Sequence, residues 1–182
     1  MQALPPLIQQ ANQQENEMAE LTQARLKELL YYDPETGVFT WLVNRGKARI
    51  GFAAGRLDKQ TGYILIGIDC HRYYVHRLAW FSVHGEFPIG MLDHRDTRAS
   101  NNAIKNLRVA DGTQNGANKT LMATNKSGFK GVSWYAIGKK WQASIKRGGR
   151  SVGLGLFADV NEAHEAYRKA AVECFGEFAR AA

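Results

Sequence analysis

Two spacings of apolar residues alternate along the chain, and each change of spacing marks a change of element. Leu26, Leu29 and Leu30 share one helical face; Thr22 is placed to cap that helix, and Leu21 and Leu26 to staple its start. The run Asp-Pro-Glu-Thr-Gly at 33–37 then forces a turn. Val38 to Val43 and Gly62 to Ile68, rich in β-branched and aromatic residues, predict strands, with a third at Tyr73 to Val75. A short helix is expected from His76 to His84, closed by Gly85. Leu92 to Asp96 predicts a strand, Leu107 to Val109 its return, and Asp111 with Gln114 a capping box that opens a helix running to about Thr120. Strand, loop, strand and helix make a ββα unit.

After a polar junction the spacing changes again. Phe129–Trp134, Lys140–Arg147 and Arg150–Phe157 predict an antiparallel meander, with Gly148-Gly149 as a two-residue turn. Asp159 and Glu162 open a last helix in which Ala163, Ala166, Tyr167, Ala170 and Cys174 repeat at three and four, and Gly176 ends it. The fold class expected is α+β, a ββα module followed by a three-stranded antiparallel sheet packed on one C-terminal helix. The expected division is an arm at 1–20, a first domain at 21–118, a linker at 119–127 and a second domain at 128–182.

Composition changes this picture in four ways. At 182 residues and 45% hydrophobic, the chain can bury two small cores, and no apolar run reaches the ~20 residues of a membrane span. The first twenty residues hold no Lys or Arg and no long apolar core, so a secretory signal is not expected and a cytoplasmic location is. Cys70 and Cys174 stand without a Cys-x-x-Cys pair, which excludes a cysteine zinc site and leaves them expected as buried thiols. The net charge of +7 is concentrated: Gly112 to Ala158 contains no Asp or Glu, yet holds Lys119, Lys126, Lys130, Lys139, Lys140, Lys146, Arg147 and Arg150. Such a stretch suits a polyanion surface.

Candidate chemistry gathers between Leu92 and Asn118. Neutral His94 can take a proton from water, Asp93 can hold a divalent cation, and Asn115 offers a carbonyl oxygen as a second ligand. Two oxygen ligands suit one Mg²⁺ or Mn²⁺ better than Zn²⁺. Adjacent strand residues point to opposite faces, so Asp93 and His94 can serve one phosphate only if the strand twists or ends there. Asn106 is expected to hold backbone across the hairpin and so aim His94. His76 and His71 are further candidates, His84 and His164 are expected on helix surfaces, and Arg77, Arg95 and Arg108 are either phosphate contacts or solvated charges.

These residues resemble the HNH endonucleases, in particular the phage-type homing enzymes. "YYDPETGVFTW" at 31–41, "VHRLAW" at 75–80, "LDHRD" at 92–96, "NN" at 101–102, "NLR" at 106–108 and "QNGAN" at 114–118 carry the resemblance, which spans Leu21 to Asn118. It implies His94 as general base, Asp93 and Asn115 as ligands of one metal ion, Asn106 as the residue that orients the base, and products with a 5′-phosphate and a 3′-hydroxyl. It also implies a phage or mobile-element origin, hence a bacterial or phage-infected cell.

Residues 127–180 resemble the plant ethylene-response (Apetala-type) DNA-binding domain, which also occurs in phage HNH proteins. The resemblance lies in Gly131-Val132, Trp141 with "ASIK", "LGLF", "EAHEAY" and "FGEFA". It implies that Lys130, Trp141 and Lys146 lie on DNA-facing strands; Arg147 and Arg150 are added as candidate DNA contacts, and Phe157 and Tyr167 belong to the core. Ser133 and Gly153 depart from the usual Arg and Trp of that pattern, so no base sequence is inferred. The expectation is a metal-dependent DNA endonuclease with double-stranded DNA as partner, no membrane, no obligate protein partner, and a C-terminal unit that acts as a separable anchor. Two alternatives stand beside it, a non-catalytic DNA-binding regulator and an RNA-binding protein, each with the ββα unit as scaffold.

Overall fold

The computed structural model describes residues 21–119, 121 and 124–180. The arm expected at 1–20 and the helix end expected near Thr120 lie outside the described residues. Thr22 Oγ1 accepts from the Arg25 N–H at 3.1 Å and opens helix α1 (Gln23–Leu29), which buries Leu26 and Leu29. Leu30 leaves the helix and starts strand β1 (Leu30–Tyr32), which pairs antiparallel with β2 (Phe39–Trp41) across the 33–37 turn. The helix pattern could not show this break, because buried residues of a helix end and of a strand start share the same apolar character.

Strands β3 (Arg56–Leu57), β4 (Ile64–Ile68) and β5 (His71–Tyr74) form a three-stranded antiparallel sheet, and β5 runs directly into helix α2 (Val75–His84). Gly85 ends α2 in the left-handed region at φ 80°. Leu26, Phe39, Ile66, Ile68 and Leu78 gather these pieces into one core. Cys70 is exposed rather than buried, because it sits with Asp69 in the two-residue β4–β5 turn where both residues take positive φ; Cys174 is half-buried.

Beside that core lies a hairpin of β6 (Met91–His94) and β7 (Leu107–Ala110), with Asp93 opposite Arg108 and His94 opposite Leu107. Strand β6 stops at His94, where the Thr97 N–H turns back to its carbonyl at 2.9 Å. Helix α3 (Gly112–Asn118) follows β7 through a reciprocal capping box between Asp111 and Gln114.

The second part has its own apolar clusters. Strands β8 (Val132–Tyr135), β9 (Lys140–Arg147) and β10 (Arg150–Phe157) form an antiparallel sheet backed by helix α4 (Val160–Phe175). β8 starts three residues later than the pattern suggests, because Ser127 and Asn125 side chains take the backbone groups of Gly128, Phe129 and Val132 and hold a turn. Gly131 is required there: at φ 71°, a Cβ would stand 2.1 Å from the buried Tyr167 ring. His164, expected on a helix surface, instead stacks on Phe129 at 4.4 Å.

The two parts are not held by a linker alone. A 3-10 turn at Gly176–Phe178 seats on the hairpin: Arg108 Nη1 donates to the Glu177 carbonyl at 2.9 Å, Arg95 pairs with Glu177 at 2.6 Å, and Arg180 donates to Thr97 Oγ1 at 2.7 Å. From the other side, Lys130 Nζ donates to the Ala117 and Lys119 carbonyls at the end of α3. Among the described residues no helix is long and apolar enough to cross a membrane.

Candidate active site

A cleft of about 220 Å³ opens at the hairpin and is lined by Asp93, His94, Asn115 and Asn118, with Tyr63 and Thr97 at its walls. The end of β6 at His94 is what lets two adjacent residues reach one cavity. Both are buried, at 5% exposure each.

His94 is aimed by Asn102. The Asn102 amide nitrogen donates to the Ser100 carbonyl at 3.1 Å, so its oxygen faces His94 Nε2, 3.3 Å away. An amide oxygen only accepts, so Nε2 carries the proton and Nδ1 keeps the lone pair. Burial pushes the His94 pKa below the ordinary histidine value, against the opposing effects of the Asn102 bond and of Asp96 and Asp93. The ring is therefore neutral, with Nδ1 as its basic nitrogen.

Asn102 is itself held by the segment that begins the chain's first hairpin. Tyr32 Oη donates to the Asn102 carbonyl at 2.8 Å, and the Ile104 N–H donates to the Pro34 carbonyl at 3.0 Å. Gly37, at φ 74°, has backbone of Asn102 and Ala103 so close that a Cβ would lie 2.2 Å from it. The motif at 31–41 thus braces the residue that orients His94. Asn106 touches the histidine only through the loop: its oxygen accepts from the Asp96 N–H at 3.1 Å, and its nitrogen donates to Asp96 Oδ1 and the Asn101 carbonyl at 2.9 and 2.8 Å.

Asp93 is held from two sides. Arg108 Nε and Nη2 both donate to its Oδ2, at 2.9 and 2.8 Å, and the Asn118 amide nitrogen lies 3.0 Å from both carboxylate oxygens and 2.8 Å from the His94 carbonyl. Three acceptors around one amide end identify that end as NH₂, so Asn118 positions Asp93 and turns its oxygen away. Asn115, one turn earlier on α3, lines the cleft with its nitrogen 3.5 Å from Met91 Sδ. Asn102 and Asn118 carry roles that spacing alone did not single out, although the paired asparagines at 101–102 and the three-residue step from Asn115 to Asn118 hold the signal.

His76 stands beside His94, the rings edge-on at 5.3 Å, and stacks near Tyr74 and Tyr63. Burial, followed by the neighbouring His94 and Arg77, lowers its pKa to about 4, and its Nδ1 has no partner among the described residues. His71 is exposed, bonded to the Asp69 carbonyl and away from the cleft, and His84 is exposed against Trp80. Arg77 lies over Phe87 and Arg95 on Glu177. Arg108 is neither a phosphate contact nor a solvated charge, because its side chain is 7% exposed and its guanidinium is committed to Asp93.

In the second sheet the five candidate DNA contacts separate. Lys130 precedes β8 and is spent on the carbonyls that end α3, with its pKa lowered by burial and then by Arg180. Trp141 shares its strand face with buried Ala143 and Ile145 and packs toward the helix, edge-on to Trp134 at 5.1 Å. Lys146 lies on the opposite, outer face, and Arg147 and Arg150 flank the Gly148-Gly149 turn; all three are exposed. A shallow groove on the sheet is lined by Tyr135, Gln142, Gly153, Gly155 and Leu156.

Residues 73–117 match the family model of HNH endonucleases, a span that contains the end of β5, α2, the hairpin and most of α3. The chain is 29% identical over 156 residues to an uncharacterised HNH endonuclease of Acanthamoeba polyphaga mimivirus, covering 78% of this chain and 79% of that one. It is 33% identical over 76 residues to Protein 3.8 of Escherichia phage T7, covering 41% of this chain and 63% of the phage protein. No solved structure matches.

Proposed function

We propose that this protein is a metal-dependent endonuclease that hydrolyses phosphodiester bonds in double-stranded DNA, with His94 as general base and a second, sheet-built unit that binds the duplex. The observation that carries the reading is the pairing, in one cleft, of a neutral histidine whose Nε2 is tied off by Asn102 with a carboxylate fixed by Arg108 and Asn118. Such an arrangement presents a base and an anion to one phosphate.

Among the described residues no group of three or more His, Cys, Asp and Glu side chains could hold a metal ion. That excludes a protein-built zinc cage there but suits a hard cation that keeps water and substrate oxygens as ligands. Among the described residues Asp93 Oδ1 accepts one hydrogen bond, from Asn118, and so retains a lone pair. Asp93 and the Asn115 carbonyl would hold one Mg²⁺ or Mn²⁺, which would supply charge neutralisation for the phosphate and the leaving oxygen. His94 Nδ1 takes a proton from water as the water oxygen bonds to phosphorus. The bond from phosphorus to the 3′ oxygen breaks, its electron pair stays on that oxygen, and a proton from solvent completes a 3′-hydroxyl opposite a 5′-phosphate. The Tyr63 and His76 rings lie beside the His94 ring, and the burial there favours its neutral form. Residues 128–182 act as an Apetala-type DNA-binding domain in this reading, through Lys146, Arg147 and Arg150.

Incubation of supercoiled plasmid with the full chain tests it. Nicking or linearisation is expected with Mg²⁺ or Mn²⁺ and is abolished by chelator, and His94→Ala is expected to lower the rate by about 10²–10⁴-fold with duplex affinity retained. Wild-type turnover by His94→Ala overturns the assignment of the base.

A further inference from the structure

Arg108 faces neither water nor the cleft. Its guanidinium forks onto Asp93 Oδ2, donates to the Glu177 carbonyl at 2.9 Å, and lies 3.7 Å from the centroid of the Phe178 ring. A cation this deeply buried is tolerated only where its charge and its donors are met together. The hairpin supplies the nearer charge, Asp93, and the Glu177 carboxylate a second at 3.7 Å. The turn at Gly176–Phe178 supplies direction, since a carbonyl and a ring face hold a planar fork in one orientation. Arg95 with Glu177, and Arg180 with Thr97, clamp the same turn to the loop that follows His94.

Simple packing of a C-terminal turn needs only Phe178 and an apolar partner. A forked arginine beside Asp93 does more: it fixes the carboxylate rotamer and satisfies Oδ2, leaving Oδ1 with a lone pair to spare. We infer that the turn Gly176–Phe178 of the second unit completes the nuclease site, holding Arg108 as a positioning residue for Asp93, so that the two units form one site rather than a nuclease with a detachable anchor. The inference rests on the reading of Asp93 as the carboxylate that holds the cation. Sequence spacing hid it, because Phe178 lies far along the chain from the hairpin that pairs Asp93 with Arg108.

Two measurements on the full chain, without DNA, test it. Mn²⁺ binding followed by the electron-paramagnetic signal of free ion is expected to weaken about tenfold in Phe178→Leu, which keeps apolar bulk but loses the ring face, and to recover in Phe178→Tyr. Amide exchange read by mass spectrometry is expected to speed up in the peptide spanning Met91 to Ala110 of Phe178→Leu, with circular dichroism unchanged. Unchanged exchange in that peptide overturns the inference, and so does equal Mn²⁺ affinity in Phe178→Leu and wild type while Asp93→Asn loses it. If Asp93→Asn binds Mn²⁺ as wild type does, the metal assignment of the proposed function falls, and the exchange result still decides whether the turn completes the site.

Discussion

The cleft and the outer face of the second sheet use polar residues in opposite ways. In the cleft and the loop beside it Asp93, His94, Asn102, Asn106 and Asn118 are buried, and each is bonded to a named protein group. On the sheet Lys140, Lys146, Arg147 and Arg150 are exposed and form no ion pair among the described residues. Buried polar groups are costly unless satisfied, so the cleft has one arrangement and holds it before substrate arrives. Exposed cations cost little, keep their rotamer freedom, and can displace counterions condensed on the phosphates of a polyanion. A reaction needs the first kind of site, and duplex attachment needs only the second.

The contrast breaks most visibly at Arg108. Arg108→Met leaves Asp93 buried without its cation and is expected to cost about 3–5 kcal/mol of stability by urea denaturation, whereas an equivalent change at exposed Arg150 is expected to cost almost nothing. Lys130 sharpens the boundary between the regions. Lys130→Met is expected to destabilise by about 1.5–3 kcal/mol, through the freed carbonyls at the end of α3, and to leave the salt dependence of duplex binding unchanged. A reduced salt slope would return Lys130 to the DNA-contacting set.

The acid limb of cleavage gives a smaller, graded effect. Burial lowers the His94 pKa, so the base stays deprotonated to a lower pH than an exposed histidine does. Activity is expected to be level above about pH 6.5 and to fall about tenfold per pH unit only below the depressed pKa, an acid limb displaced downward from ~6.5. A limb centred above ~6.5 would show that His94 is not the base. The mildest change is Lys146→Ala, expected to reduce the slope of log K against log salt by about one unit if its contact is to phosphate, with no effect on cleavage chemistry.

Local signals were sufficient for the caps and tight turns of both parts. Thr22, Asp111 with Gln114, Gly85 and Gly148-Gly149 each act within a few residues of the chain, where capping and turn chemistry are decided. Strands β9 and β10 and the opening of α4 were legible for the same reason. Strand β3 and the break of α1 into β1 were not, since two or three residues carry no period. Asp93, His94, Asn106 and Asn115 were picked out by residue type and spacing, and the structure brings Asp93, His94 and Asn115 to one cleft while Asn106 serves the loop beside it.

The chain alone determined what is set by near neighbours: caps, turns, the alternation of helix and strand, the acid-free basic stretch, and residue types suited to phosphate chemistry. Tertiary structure decided which groups those residues meet. It put Asn102 on His94 because Tyr32 and Gly37 grip the 102–104 backbone from some seventy residues away. It turned Trp141 toward the helix and spent Lys130 on α3. It buried Arg108 between Asp93 and Phe178, which sequence separates by eighty-five positions. Contacts of that range depend on how whole elements pack, and packing is a property of surfaces that no local window of residues contains.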